Sequence, residues 1–157
     1  MTSLNRLMGL PVVFRGEKIG QIERAIVDEA GKSLRGIVVR SGIRPAKWLS
    51  VAEITALGGV SVVCGKKPCR LPKDADFSLS RVKDTSGLRL GVVTDVLLDE
   101  RSYAVCGLEI SSGPVDDFMH GRKLATEFVV KKSRLNQRRG DVLIPCGKLT
   151  SQSKREE

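Results

Sequence analysis

Four cysteines, a single histidine and a pair of adjacent aspartates are the side chains of this sequence with catalytic or metal-binding potential. His120 is the only histidine, so a metal site built on two histidines is excluded within one chain. A triad through His120 would need a Ser or Cys nucleophile, and the sequence holds no G-x-S-x-G elbow. Its place beside Gly121 suits a solvent-facing loop. Cys64, Cys69, Cys106 and Cys146 could bind zinc as thiolates, but their spacing is not the paired C-x-x-C of a zinc site. Cys106 falls inside an expected strand, so the four read as buried or loop thiols. Asp116 and Asp117 lie in GPVDDFMHG without companions, too little for a metal or acid–base site. The expectation is a chain with no catalytic residue, no metal and no cofactor.

Binding chemistry is better represented. Lys131, Lys132, Arg134, Arg138 and Arg139 crowd into KKSRLNQRR, and Lys66, Lys67, Arg70 and Lys73 form a second cluster. On one side of the molecule the two clusters could engage phosphate or an acidic protein face; otherwise they are solvated loops. With 27 Lys and Arg against 18 Asp and Glu, the formal net charge is +9. That balance favours nucleic acid, anionic lipid or acidic protein as partner, or marks a soluble protein that runs basic. Aromatic content of 4% argues against stacking single-stranded bases on exposed rings. Trp48, the lone tryptophan, reads as a packing residue or a ligand platform.

The elements that carry these residues are repeated. Gly16 to Arg40 superposes without a gap on Gly87 to Ser111, a step of 87 − 16 = 71. Identical pairs are Gly16/Gly87, Gly20/Gly91, Asp28/Asp99, Glu29/Glu100 and Gly36/Gly107. Eight further positions are apolar in both repeats, where the 41% hydrophobic content gives roughly four by chance. The shared residues are turn formers and core positions, so Gly16, Gly20, Gly36, Gly87, Gly91 and Gly107 are structural. Residues 19–28 could line a helix face with Ile19, Ile22 and Ile26, but an interior glycine at the same place in both repeats and a missing N-cap decide for strand. A bulge or bend at Gly20 and Gly91 accounts for the glycine. Later come LSVAEI at 49–54 and LATEFV at 124–129, then short terminal strands VSVVC at 60–64 and DVLIP at 141–145. Cys64 and Cys146 fall just past those last strands.

The reading is all-β with sparse helix: two tandem small barrels of about six strands each. The boundaries are 1–65 for the first repeat, 66–76 for a basic, Pro-containing linker, 77–146 for the second repeat and 147–157 for a disordered polar tail. No apolar run approaches the roughly 20 residues of a membrane span, and the first residues lack the pattern of a signal peptide. A cytoplasmic protein with four free thiols is expected.

Two stretches, GLPVVFRGEKIGQIERAIVDEAGKSLRGIVVRS and KWLSVAEITALGGVSVV, resemble the PRC-barrel domain. That family is named for the cytoplasmic domain of the photosynthetic reaction-centre H subunit and includes the C-terminal domain of a ribosome maturation factor. Its pattern is met by Gly9 to Val12, Gly16 to Gly20, Ile22 to Asp28 and Leu49 to Ile54. The second repeat keeps Gly87, Leu90, Gly91, Asp99 and the Leu124 to Val129 segment, but lacks the Gly-x-x-Val opening. The resemblance implies a six-stranded barrel used as an adaptor rather than a catalyst. The function expected is a non-catalytic adaptor that binds a partner macromolecule, most simply a protein. The alternative is a ribosome- or RNA-associated factor using the basic face. A homo-oligomer is left open, and membrane insertion is not expected. The binding residues expected are the five of the KKSRLNQRR cluster with Lys66, Lys67, Arg70 and Trp48.

Overall fold

The computed structural model describes residues 1–151. It is all-β with sparse helix, in two sheets. β1 (Thr2–Ser3) leads into a short helix α1 (Leu4–Leu7), whose first turn is capped by the Ser3 hydroxyl accepting from the Arg6 amide. The first sheet is built from β2 (Pro11–Phe14), β3 (Glu17–Val27), β4 (Leu34–Arg40), β5 (Lys47–Ser50), β6 (Ile54–Leu57), β7 (Val62–Cys64) and β8 (Cys69–Arg70). A 3-10 turn, Val51–Glu53, joins β5 to β6. The second sheet contains β9 (Ser78–Asp84), β10 (Arg89–Leu98), β11 (Val105–Ser111), β12 (Lys123–Ala125), β13 (Val129–Lys132), β14 (Arg139–Ile144) and β15 (Thr150–Ser151). Helix α2 (Pro114–His120) lies between β11 and β12. No helix of the described residues is long and apolar enough to cross a membrane.

The two sheets share one topology. Their strand orders are β6-β7-β2-β3-β4-β5-β8 and β13-β14-β9-β10-β11-β12-β15, with β1 added on β10. In each, the returning strand (β7 on β2, β14 on β9) pairs in parallel. The match extends to register. Gln21↔Arg40, Ile26↔Gly36 and Val27↔Leu34 in the first sheet become Val92↔Ser111, Leu97↔Gly107 and Leu98↔Val105 in the second, each 71 positions on. Both ladders shift register at equivalent places, after Ile22 or Val93 and after Ile26 or Leu97. Residues 19–27 are therefore strand, as their interior glycine implied, and Asp28 follows its end.

The glycines do more than bend the chain. Gly16 and Gly87 sit in turns at φ +79 and +91. Gly20 and Gly91 follow register shifts against β2 and β9, and each faces the carbonyl of the neighbouring strand. A Cβ on Gly20 would meet Arg40 O at 2.8 Å, and one on Gly91 would meet Ser111 O closer still. Gly36 leaves room for the Trp48 ring, as Gly107 does for Leu124.

Several boundaries differ from the sequence reading. β8 pairs Cys69 with Trp48 and Arg70 with Lys47, so the linker begins as the edge of the first sheet. β15 pairs Thr150 with Leu124 at the same place in the second, so 147–151 are not a disordered tail; residues 152–157 lie outside the described residues. Both are two-residue edge strands, too short to show a periodicity, which is why composition alone read them as loop. β1 pairs with β10, so the start of the first repeat belongs to the second sheet. Ladder register puts Leu124 in the place of Trp48 and Ala125 in that of Leu49, one residue from the alignment of LSVAEI with LATEFV. Cys64 lies within β7, against Phe14, where Asp84↔Ile144 is its counterpart; Cys146 alone is past the strand.

Core positions repeat as well: Val12 with Val82, Ile37 with Leu108, Val39 with Ile110, and Val62 with Val142 are all buried. Buried apolar side chains of both repeats belong to one cluster, which answers the marginal core of a 70-residue unit. The hairpins 28–34 and 99–105 meet at a bridge, Ser33↔Ala104. Leu34 N donates to Tyr103 O and Val105 N to Lys32 O, both at close to 2.9 Å. Asn5 adds a bond from its amide to Asp95 Oδ1 at 3.1 Å.

Candidate functional site: a cationic groove on the first repeat

β3 and β4 pair so that the residues flanking Gly20 lie beside those that follow Arg40. That register gathers Lys18 and Ile19 of β3, Val39 of β4, Ser41, Arg44 and Pro45 of the next loop, and Lys47 of β5. Lys67 and Pro68 close the far wall, held there because β8 pairs with β5. The cavity is about 330 Å³. Its wall holds four cations and no carboxylate. Among the described residues no carboxylate comes within ion-pair distance of Lys18, Arg44, Lys47 or Lys67. Four uncompensated charges around one concavity raise the local potential for an anionic group.

Arg40 shapes the loop instead of joining the cavity. Its Nε and Nη2 donate to both oxygens of Glu23, at 2.9 and 3.3 Å, and its Nη1 donates to the Arg44 carbonyl at 3.3 Å. This bidentate pair fixes the loop that presents Arg44.

The expected basic cluster at 131–139 is arranged differently. Lys131 and Lys132 lie in β13 and Arg139 opens β14, with Arg134 and Arg138 in the turn between. Lys132 Nζ is 2.8 Å from Glu29 of the first repeat, and Arg138 Nη1 is 3.2 Å from Asp76. A cleft here of about 250 Å³ mixes Lys73, Lys132 and Arg138 with Glu29, Asp74 and Asp76. Part of the cluster's charge thus ties the repeats together. Lys67 lines the cationic groove while Lys73 lines the mixed cleft, so the linker cluster divides between two sites. Lys66 and Arg70 are exposed.

Trp48, expected as a platform or a packing residue, is 6% exposed and packs against Gly36. The Arg35 guanidinium lies 5.3 Å from its ring centroid and reaches Asp74 at 3.1 Å. Its ring belongs to the core.

The remaining candidates for chemistry are dispersed. His120 ends α2, not a loop, with Nδ1 3.1 Å from Asp116. Asp117 accepts from Ser111 Oγ at 2.5 Å and from the Ser112 amide at 3.2 Å. All four cysteines are free; Cys64 is buried and its thiol is pushed up by burial, whereas Cys69, Cys106 and Cys146 are exposed. Among the described residues no three His, Cys, Asp or Glu side chains gather as a metal site.

Lys18, Arg44 and Lys47 escaped the sequence reading because they lie in separate segments and form no run. The signal was the strand pairing around Gly20, which sets Lys18 beside the loop after Arg40. Comparison with family models and with curated proteins finds no match to this chain.

Proposed function

We propose that this chain is a non-catalytic cytosolic adaptor that binds an acidic protein partner, with two PRC-type barrels as its scaffold. The observation that carries the reading is the groove of Lys18, Arg44, Lys47 and Lys67, whose charge no described carboxylate offsets. The scaffold supports such a role because most of the groove wall comes from β3, β4, β5 and one braced loop, with the link into β8 closing the far side, which limits the ordering entropy that opposes binding. The repeated strand order and register support two equivalent units of the kind the family resemblance implies. Four free cysteines fit a reducing compartment.

A second reading, an RNA- or ribosome-associated factor, draws support from Lys131, Arg134 and Arg139. These are exposed and lie within ion-pair distance of no carboxylate among the described residues. A phosphate backbone would suit them.

Replacing Ile43, fully exposed beside Arg44, with p-benzoylphenylalanine gives the test. Irradiation of cells carrying the full chain should yield a discrete protein adduct that is lost in Lys18→Gln/Arg44→Gln/Lys67→Gln. Adducts that contain nucleic acid would favour the second reading, and a smear insensitive to those substitutions would contradict the first.

A further inference from the structure

The second repeat sets carboxylates at the positions that match the rim of this groove. Ladder register makes Ser112 the counterpart of Ser41 and Lys123 the counterpart of Lys47. Between these anchors the first repeat has five residues, 42–46, and the second has ten, 113–122. The longer segment folds as α2, and it brings carboxylates to the anchors. Asp116 Oδ2 lies 3.5 Å from Lys123 Nζ, and Asp117 Oδ1 accepts from the Ser112 amide at 3.2 Å. Arg122 Nε approaches Asp117 Oδ2 at 3.8 Å. The first repeat keeps a serine and a lysine at these anchors, lines the cavity with Lys18, Arg44 and Lys67 as well, and has no acidic residue from 41 to 47.

We infer that the first-repeat groove binds an acidic peptide segment of another protein, which sets its carboxylates on Lys47 and Ser41 as Asp116 and Asp117 sit on Lys123 and Ser112. This rests on the adaptor reading above and names the partner's recognition group. A cavity of about 330 Å³ is of the size that takes a few side chains, and pockets that orient small groups begin at about 300 Å³. Ile19 and Pro68, both half-buried, give a bound segment apolar surface beside the four exposed cations. A peptide is favoured over nucleic acid because the cavity wall holds no aromatic ring on which a base could stack.

The test uses the full chain labelled with ¹⁵N and a synthetic blocked peptide of sequence GPVDDFMHG, matching residues 113–121. Saturable shifts at the amides of residues 18–19, 41–47 and 67 are expected. Binding should weaken about tenfold in Lys18→Gln/Lys47→Gln, since two partly exposed ion pairs are removed. The same peptide with both Asp changed to Asn should bind at least as poorly. Arg44→Gln, on an exposed loop, gives a second variant whose melting temperature should stay at the wild-type value while binding falls. Equal binding of the Asp and Asn peptides, shifts confined to 131–139, or groove shifts caused by a mixed-sequence RNA 12-mer but not by the peptide would each overturn the inference. A failed peptide alongside a protein adduct at Ile43 would remove the carboxylate mode and leave the adaptor reading standing. A bound peptide with no protein adduct would support the groove chemistry and count against the adaptor.

Discussion

Ser33 and Ala104 face each other across an antiparallel bridge, and the repeat itself relates them, since 33 + 71 = 104. The flanking hydrogen bonds obey the same operation. Leu34 N to Tyr103 O becomes Val105 N to Lys32 O when each position is exchanged for its repeat counterpart. The contact is thus isologous, like that of a two-fold dimer, but within one chain. Duplication gives both repeats a serine and a lysine at the same two positions. In the second, Asp116 and Asp117 of α2 lie against them, and in the first no carboxylate of the intervening loop does.

Gly91→Ala tests the close approach of β10 to β11. The added methyl would collide with Ser111 O at a backbone φ of +144, so the variant should lose about 2 kcal/mol or more of stability. Gly59→Ala, where nothing lies within 4 Å, should unfold at the wild-type urea midpoint. Equal midpoints for the two variants would contradict the approach.

Lys132→Gln should destabilise the protein by up to about 1 kcal/mol, because its pair with Glu29 joins the repeats across an exposed surface. Lys131→Gln, within ion-pair distance of no described carboxylate, should leave the midpoint unchanged. The double variant Lys132→Gln/Glu29→Gln should lose no more than Lys132→Gln if the pair is what matters.

Acid should weaken the bridge hairpin. The amides of Ser102 and Arg101 hold Asp99 below the usual carboxylate range. A lowered folded value means the stabilisation is complete above the unfolded value, about 3.9, and is lost as pH falls through the folded one. Wild type should therefore be more stable than Asp99→Ala at pH 7, with the gap closing below about pH 4 in urea titrations. A gap independent of pH would contradict this.

Thiol reactivity should separate the cysteines. A disulfide-exchange reagent should modify Cys69, Cys106 and Cys146 readily in the native state, and Cys64 only on unfolding. Rapid modification of Cys64 would contradict its place in the core.

The sequence disclosed the β3–β4 and β10–β11 hairpins because close strand approach demands glycine at fixed places and the core demands apolar residues between them. Gly20/Gly91 and Gly36/Gly107 carried that signal. β8 and β15 were illegible: two residues at a sheet edge are too few to show a periodicity. The alignment of Leu49 with Leu124 failed because the loops before them differ by five residues, and Leu124 fills the site of Trp48 above a matching glycine. The 131–139 cluster was visible as a run, yet Glu29 and Asp76, distant in sequence, neutralise part of it. The groove was hidden because its four cations meet only through strand register.

Amide hydrogen exchange at Leu34 and Val105 tests most directly whether the two repeats act as one scaffold, as their shared core and their bridge imply. Both amides donate across the bridge, so they should open together, with protection within about tenfold of each other and of the core amides of Ile37 and Leu108. Exchange of Leu34 and Val105 at loop rates, with Ile37 and Leu108 still protected, would show two independent units and contradict the account.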